Sequence, residues 1–148
     1  MLAAYPVIPA VAGMTNSSEI PWKVYIKMKT LLVVAHGSRR EESNDEVRDL
    51  TACLREQSGE AYSQVECAFL ELAEPSIPDG LRNAIRAGAE QVTVVPYFLS
   101  AGRHVVTDIP AEIEVVRKEF PDADIVLAPY LGAADGLADM LLLQAQQI

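Results

Sequence analysis

The chain has 148 residues, a formal net charge of −9, two cysteines and two histidines. This length suits one domain with a real core and is too short for two ordinary domains. Half of the residues are apolar and 22% are charged, which is typical of a globular protein and not of a disordered one. The acidic balance argues against a nucleic-acid binder, and no apolar window is long enough for a membrane span.

The first 27 residues, MLAAYPVIPAVAGMTNSSEIPWKVYIK, contain three prolines and little periodicity. Their first lysine, Lys23, follows the apolar part, whereas a secretory signal carries its positive charge first. We therefore expect residues 1–27 to be a poorly ordered extension, residues 28–148 to form one domain, and the protein to be cytoplasmic. An extra strand over residues 22–26 is the alternative for the end of this segment.

From Met28 onward, short apolar runs alternate with segments of helical periodicity. The apolar runs predict strands over residues 31–35, 65–70, part of 91–99, and 125–128. Helical spacing predicts helices over residues 43–57, from 77 to just before Gly88, from about 107 or 108, and from about 133. This alternation predicts an α/β domain, a three-layer αβα sandwich around a mainly parallel four-stranded sheet.

The two cysteines, Cys53 and Cys67, are too far apart in sequence to form the closely spaced pair of a zinc site. Each lies in an apolar stretch, so we expect both to be reduced residues of the core.

Both histidines follow predicted strands, and ligands of open parallel sheets bind beyond the carboxyl ends of the strands. His36 follows the first strand, Glu71 the second and His104 the third. Two imidazoles and one carboxylate at one sheet edge are suitable donors for a divalent transition metal. The alternatives are loop histidines with local partners and a solvated Glu71, or a Glu71 that pairs with an arginine.

Three of the eight arginines flank the histidines, although residues 28–148 carry a net charge of −10 from ten basic and twenty acidic residues. Arg39, Arg40 and Arg103 therefore suit an anionic ligand, since arginine pairs well with carboxylates. Alternatively, the first two only balance the pair of glutamates that follows them. Ser38 either helps to cap the next helix or binds an anion at its N-terminus.

Three segments together resemble the small single-domain class II chelatases, and they occur in the family's order: LLVVAHGSRR, FLELAEPSIPDGL and VVPYFLSAGRHVVTDIP. This family includes the sirohydrochlorin cobaltochelatases of cobalamin synthesis and the siroheme ferrochelatases. The resemblance covers about residues 28–130. It implies a lyase that inserts a divalent metal into sirohydrochlorin, with Co²⁺ favoured over Fe²⁺ and Ni²⁺ and with no organic cofactor.

The resemblance also assigns roles to the residues at the strand ends. It implies that His36, Glu71 and His104 bind the metal and act in catalysis. Imidazole holds borderline metals without the grip of several thiolates, and it accepts protons near neutrality. Glu71 would orient a histidine, bind the metal or relay protons, and the sequence does not decide among these.

The eight carboxylates of the implied substrate would give the nearby polar residues a purpose. Substrate binding is predicted for Ser38, Arg39, Arg40, Ser100 and Arg103. The stretch 97–99, Tyr-Phe-Leu, would either line the macrocycle or pack in the core.

The resemblance further implies a homodimer, because small members of the family pair. The apolar helix over residues 137–143 would contribute to that interface or close the core. A non-catalytic protein that binds metal or tetrapyrrole in the same pocket is the alternative function. A metal-dependent hydrolase is disfavoured, because two histidines and one glutamate are few ligands for a two-metal centre.

Overall fold

The computed structural model describes residues 26–147. Its strands are β1 (Lys29–Ala35), β2 (Gln64–Phe69), β3 (Gln91–Pro96) and β4 (Asp124–Leu127). Its helices are α1 (Glu41–Ser58), α2 (Ile77–Arg86), α3 (Ile109–Glu119) and α4 (Leu137–Ala145). A π-helical turn (His104–Asp108) leads directly into α3, and a 3₁₀ turn (Leu131–Ala133) precedes α4.

The four strands form one sheet in the order β2-β1-β3-β4, and every neighbouring pair is parallel. Val33 in the middle of β1 lies opposite Cys67 of β2 and Val95 of β3. The predicted α/β fold is confirmed, and the sheet is wholly parallel. β2 pairs with one edge of β1, and β3 pairs with the opposite edge, so the direction in which strands are added to the sheet reverses at β1. Parallel sheets of this order bind ligands in the crevice where the winding direction changes.

The larger part of the core lies between one sheet face and the helices α2 and α3. Leu32 and Val34 of β1 point to this side, and α3 contributes Ile109 and Ile113, all almost fully buried. Helix α2 begins as the sequence predicts, because Pro78 stands in its first turn and the Ser76 hydroxyl accepts a hydrogen bond from the Asp79 N–H at 3.3 Å.

Helix α1 covers the opposite face, where Val47 packs with Ala35 and Phe69. The helical spacing of apolar residues predicts an apolar buried face, but the buried face of α1 also includes the polar residues Asn44 and Thr51. The Thr51 hydroxyl donates to the Val47 carbonyl at 2.7 Å, which satisfies its polar group inside the protein.

The prediction that both cysteines belong to the core is wrong for Cys53. Both thiols are free, but Cys53 is exposed and Cys67 is half-buried. Cys53 follows the buried Thr51 by two positions, which on an α-helix places it on the solvent side of α1.

Helix α4 does not close the core, so that alternative is wrong. None of its residues is buried, and the four consecutive apolar side chains of residues 140–143 are 60–63% exposed. Within residues 26–147, no helix has the length and apolar character needed to cross a membrane.

The expectation for the first 27 residues lies almost wholly outside the part of the chain that the structure describes. Only Ile26, which is exposed, and Lys27, whose amine lies 3.5 Å from the Asp124 carboxylate, belong to both. The extension stays a prediction.

Candidate functional site

Three strand ends bring His36, Glu71 and His104 together. His36 Nε2 lies 3.0 Å from Glu71 Oε1. The His36 and His104 rings have centroids 4.9 Å apart and meet edge to face at 62°. All three side chains are partly open to solvent, with 41%, 55% and 44% of their surface exposed, respectively. The candidate site is therefore an open cleft at the predicted edge of the sheet.

The backbone after β1 and β2 fixes the first two of these residues. The Leu70 N–H donates to the Ala35 carbonyl at 2.9 Å, and the Glu71 N–H donates to the His36 carbonyl at 3.0 Å. The parallel hydrogen-bond pattern thus continues beyond the ends of β1 and β2, and it fixes the backbone positions of His36 and Glu71.

Gly37 is required where these two backbones meet. Its φ is +92°, which favours glycine, and a Cβ atom there would lie 1.8 Å from the Glu71 carbonyl oxygen. The His-Gly pair is therefore a packing requirement of this site.

The loop after His36 is held to α1 by the buried side chain of Asn44. Asn44 Oδ1 accepts from the Ser38 N–H at 2.9 Å, and its Nδ2 group donates to the Ser38 carbonyl at 2.9 Å. The Ser38 hydroxyl itself accepts from the Arg40 N–H at 3.0 Å, so it tightens the entry to the helix. Ser38 thus bonds to the N-cap residue of α1, Arg40, and does not itself cap a backbone N–H group inside the helix.

His104 begins the π-helical turn, whereas the sequence predicts that it lies in a loop before a helix starting near residue 107. The Ile109 N–H bonds to the His104 carbonyl, which gives the widened hydrogen-bond pattern of a π-helix. Within this turn, His104 Nδ1 lies 2.8 Å from Asp108 Oδ2. The loop expectation is wrong because hydrophobic periodicity begins only at Ile109, after the turn.

The two imidazoles have different hydrogen-bond partners. His36 Nδ1 lies 2.9 Å from the Gly37 carbonyl oxygen, which can only accept, so Nδ1 carries a hydrogen. Its Nε2 faces Glu71, and that contact needs a further proton on the ring or on the carboxyl group. His104 Nδ1 is instead within hydrogen-bond distance of the Asp108 carboxylate, and its Nε2 has no hydrogen-bond partner among residues 26–147.

The three donors do not form a closed metal cage. Among residues 26–147, no three side chains of His, Cys, Asp or Glu are arranged to hold a metal ion together. Of the three donors, His36 and Glu71 are in direct contact with each other, with 3.0 Å between Nε2 and Oε1. A cavity of about 250 Å³ adjoins the site and is lined by Glu71, His104, Asp108 and Glu112, among others.

Four of the predicted anion-binding residues lie on the surface of the protein. Arg39, Arg40, Ser100 and Arg103 are all exposed. Arg103 is the most open, with 85% of its side chain exposed, and its Nε atom lies 4.0 Å from Asp108 Oδ1.

The alternative in which Arg39 and Arg40 only balance the following glutamates is not observed. Neither forms an ion pair with another residue of the described range 26–147. Glu41 bonds to Arg48 instead, and this guanidinium holds the pKa of Glu41 below its usual value.

Exposed apolar side chains adjoin the site residues in sequence. Leu72 follows Glu71, is 52% exposed and has a φ of +65°, which is uncommon for a residue with a branched side chain. Leu99 and Val106 are 68% and 65% exposed. Phe98 packs against the core, as one alternative predicts, whereas Tyr97 is 43% exposed.

Sequence reasoning missed Asn44, Leu72 and Asp108. Asp108 carried a usable signal, since it follows His104 by four residues next to a predicted helix. Asn44 and Leu72 carried none, because their roles depend on burial and on backbone conformation.

A larger cavity of about 430 Å³ lies at the open edge of β2 and has no histidine in its lining, so size alone does not locate the site.

Known proteins resemble this chain in sequence and in structure. The CbiX family model matches residues 30–148. A chloroplastic sirohydrochlorin ferrochelatase from Arabidopsis thaliana is 40% identical over 75% of this chain and 48% of its own length. A sirohydrochlorin cobaltochelatase from Methanocaldococcus jannaschii is 28% identical over 78% of this chain and 96% of its own length.

A solved structure of the sirohydrochlorin chelatase SirB from Bacillus subtilis subspecies spizizenii, in complex with cobalt, has a TM-score of 0.73 and 26% identity. The match covers 82% of this chain and 51% of that protein. The chain thus spans about half of that structure. It covers between 38% and 48% of three of the curated relatives that it matches.

Proposed function

The chain belongs to the CbiX family, and from that premise we propose that it is a chelatase that inserts a divalent metal ion into sirohydrochlorin. The observation that carries this proposal is the convergence of His36, Glu71 and His104 at the winding change of the sheet. Relatives that act on sirohydrochlorin with cobalt or with iron support it.

The donor set suits a metal that has to be released again. Imidazole and carboxylate bind Co²⁺ and Fe²⁺ well, whereas several thiolates would hold them more tightly. The open, half-exposed cleft gives the ion a way in and brings the macrocycle close to the two rings. His104 Nε2 would take part first, because its lone pair is not used by another residue of the described chain.

Insertion of a divalent ion releases two pyrrole protons, and the site offers bases for them. His104 Nε2 accepts one when it is free of metal. The pair of His36 and Glu71 would accept the second pyrrole proton once the proton between them has passed to solvent, to which both side chains are partly exposed. In this proposal, His104 accepts one of the two protons by itself, whereas His36 acts together with Glu71.

The surroundings of the cleft suit a flat molecule with anionic substituents. Arg39, Arg40 and Arg103 are exposed and would pair with carboxylates, assisted by the hydroxyl of Ser100. The apolar side chains of Leu72, Leu99 and Val106 would contact the ring system. Ser38 would act mainly through its place in the loop, since its hydroxyl and backbone already have partners.

We favour Co²⁺ as the metal, with Fe²⁺ and Ni²⁺ as alternatives, and we place the enzyme among the lyases. No organic cofactor is proposed. A cytoplasmic location stays a prediction.

We also propose that the protein acts as a homodimer. Residues 140–143 of α4 are four consecutive apolar side chains, each 60–63% exposed, and a second copy would bury part of this apolar surface. Val126 of the edge strand β4 is a further apolar position, 39% exposed.

The decisive experiment is anaerobic incubation of the purified protein with sirohydrochlorin and Co²⁺, Fe²⁺ or Ni²⁺ in turn. The absorption change is followed against a control without protein. We expect faster insertion with at least one metal, and we expect His104→Ala to abolish it while the circular dichroism spectrum stays unchanged. Tight metal or tetrapyrrole binding without any acceleration would favour the non-catalytic alternative.

A further inference from the structure

Asp108 lies beside His104 in the lining of the same cavity and is within hydrogen-bond distance of its ring. The distance from His104 Nδ1 to Asp108 Oδ2 is 2.8 Å, and the carboxylate has only 33% of its side chain exposed. The neighbouring Ile109 is fully buried and anchors this end of the turn in the core. The carboxylate is therefore fixed more firmly than the surface arginines around the cleft.

A carboxylate partner determines which ring nitrogen of a neutral histidine carries the hydrogen. The carboxylate only accepts, so the hydrogen lies on Nδ1 and the lone pair on Nε2. A carboxylate in this position also fixes the orientation of the ring and strengthens the imidazole as a ligand.

His36 also has an acceptor at its Nδ1 atom, but this acceptor is a backbone carbonyl oxygen and not a carboxylate. Its Nδ1 lies 2.9 Å from the Gly37 carbonyl oxygen, and its Nε2 likewise faces the site. Both rings thus present Nε2, but only the support of His104 comes from a side chain that can be exchanged by substitution.

The π-helical turn brings this pair together at the entry to α3. Asp108 is the last residue of that turn and His104 the first. The second carboxylate oxygen of Asp108 lies 4.0 Å from Arg103 Nε, and Glu112 lines the same cavity. Neither of these two side chains forms a hydrogen bond with His104 within the described residues.

We propose that Asp108 is a positioning residue, which orients His104 so that its Nε2 atom binds the divalent metal ion. The proposal rests on the proposed function, and it adds a residue that acts through His104 and not on the substrate. Loss of such a partner typically lowers metal affinity or activity about 10- to 100-fold.

The test compares the full chain with the variants Asp108→Ala and Asp108→Glu. Glu114→Gln serves as the control, because it removes one negative charge from the exposed side of α3. Co²⁺ alone is titrated into each protein, and the insertion rate is measured separately. We expect Asp108→Ala to weaken Co²⁺ binding about 10- to 100-fold, Asp108→Glu to restore part of it, and the control to leave it unchanged.

The hydrogen position is read directly by two-bond ¹H–¹⁵N correlation spectra of the rings. The chain has only two histidines, so the spectrum is simple, and His36→Ala assigns the remaining ring. Spectra are recorded well above the ordinary titration range of imidazole. We expect His104 to carry its hydrogen on Nδ1 in the unmodified protein and to lose this preference in Asp108→Ala.

An unchanged ring tautomer in Asp108→Ala would overturn the proposal, even if the insertion rate falls, since Asp108 would then act directly. An unchanged Co²⁺ affinity would overturn it as well. If Asp108→Ala does not fold, Asp108→Leu provides the same comparison, because leucine is close to aspartate in size and cannot accept a hydrogen bond. A protein that binds Co²⁺ through an oriented His104 but does not accelerate insertion would refute the chelatase proposal and leave the positioning role supported.

Discussion

Replacement of Gly37 by alanine tests whether the close approach of two backbones sets the geometry of the site. The added Cβ would lie 1.8 Å from the Glu71 carbonyl oxygen, whereas real Cβ contacts do not fall below 3.0 Å. The backbone at Glu71 would therefore have to move by at least 1.2 Å, the difference between 3.0 and 1.8 Å. A shift of this size is enough to break the 3.0 Å contact between His36 and Glu71.

The expected loss of activity follows from this displacement. Misplacement of a functional group by about 1 Å costs about 100-fold in rate, which corresponds to about 2.7 kcal/mol in the activation barrier. The positive φ adds a separate cost of about 1–2 kcal/mol to the stability of the folded state.

Gly88→Ala separates these two effects. Gly88 has a φ of +105°, but a Cβ there would meet no atom within 4 Å. It lies just past α2, away from the histidines. We expect Gly88→Ala to lose stability through its φ alone and to keep the insertion rate of the unmodified protein.

The assay measures the initial rate of Co²⁺ insertion into sirohydrochlorin, together with urea denaturation of each variant. A Gly37→Ala protein that is folded and inserts metal within twofold of the unmodified rate would refute the reasoning. An equal loss of rate in Gly88→Ala would show that backbone strain, and not the contact with Glu71, is responsible.

Three further predictions concern the substrate, the interface and stability. Arg103→Ala is expected to weaken sirohydrochlorin binding, measured by fluorescence titration, more than Co²⁺ binding, with the exposed Lys118→Ala as control; equal tetrapyrrole affinities would contradict it. Leu142→Glu is expected to convert a dimer into a monomer in sedimentation experiments, and an unchanged mass would count against the role of α4. Arg82 holds the pKa of Glu119 below its usual value of 4.5, so the stabilisation is complete above pH 4.5 and is lost as the pH falls through the lowered pKa. The difference in free energy of unfolding between the unmodified protein and Arg82→Gln is thus expected to shrink in acid, and a difference that is independent of pH would disprove this coupling.

The sheet and most helices were predictable from local patterns. The apolar run ending at Ala35 and the proline and glycine around α2 have a direct physical meaning, since a buried parallel strand and a helix boundary each need those residue types. Strand ends also located His36 and Glu71, because carboxyl ends of parallel strands share one edge.

The errors arise where tertiary packing overrides a local pattern. Asn44 is polar but buried, because the loop at Ser38 supplies partners for its amide. Cys53 lies in an apolar stretch but on the solvent side of α1. The apolar sequence of α4 predicts burial, and the folded chain provides no surface to bury it within residues 26–147.

The strand order explains how three polar residues far apart in the sequence come together at the proposed metal site. β1 lies between β2 and β3, so the tips carrying Glu71 and His104 approach His36 from opposite sides. Each histidine has an acceptor at Nδ1, the Gly37 carbonyl oxygen for His36 and the Asp108 carboxylate for His104, so neither Nδ1 atom is free to bind a metal. In the proposed reaction, an ion that binds His36 Nε2 or Glu71 would displace the 3.0 Å contact between these two side chains, and the contact would form again after transfer of the ion. A closed set of ligands would bind the ion more tightly but would oppose its transfer to the macrocycle.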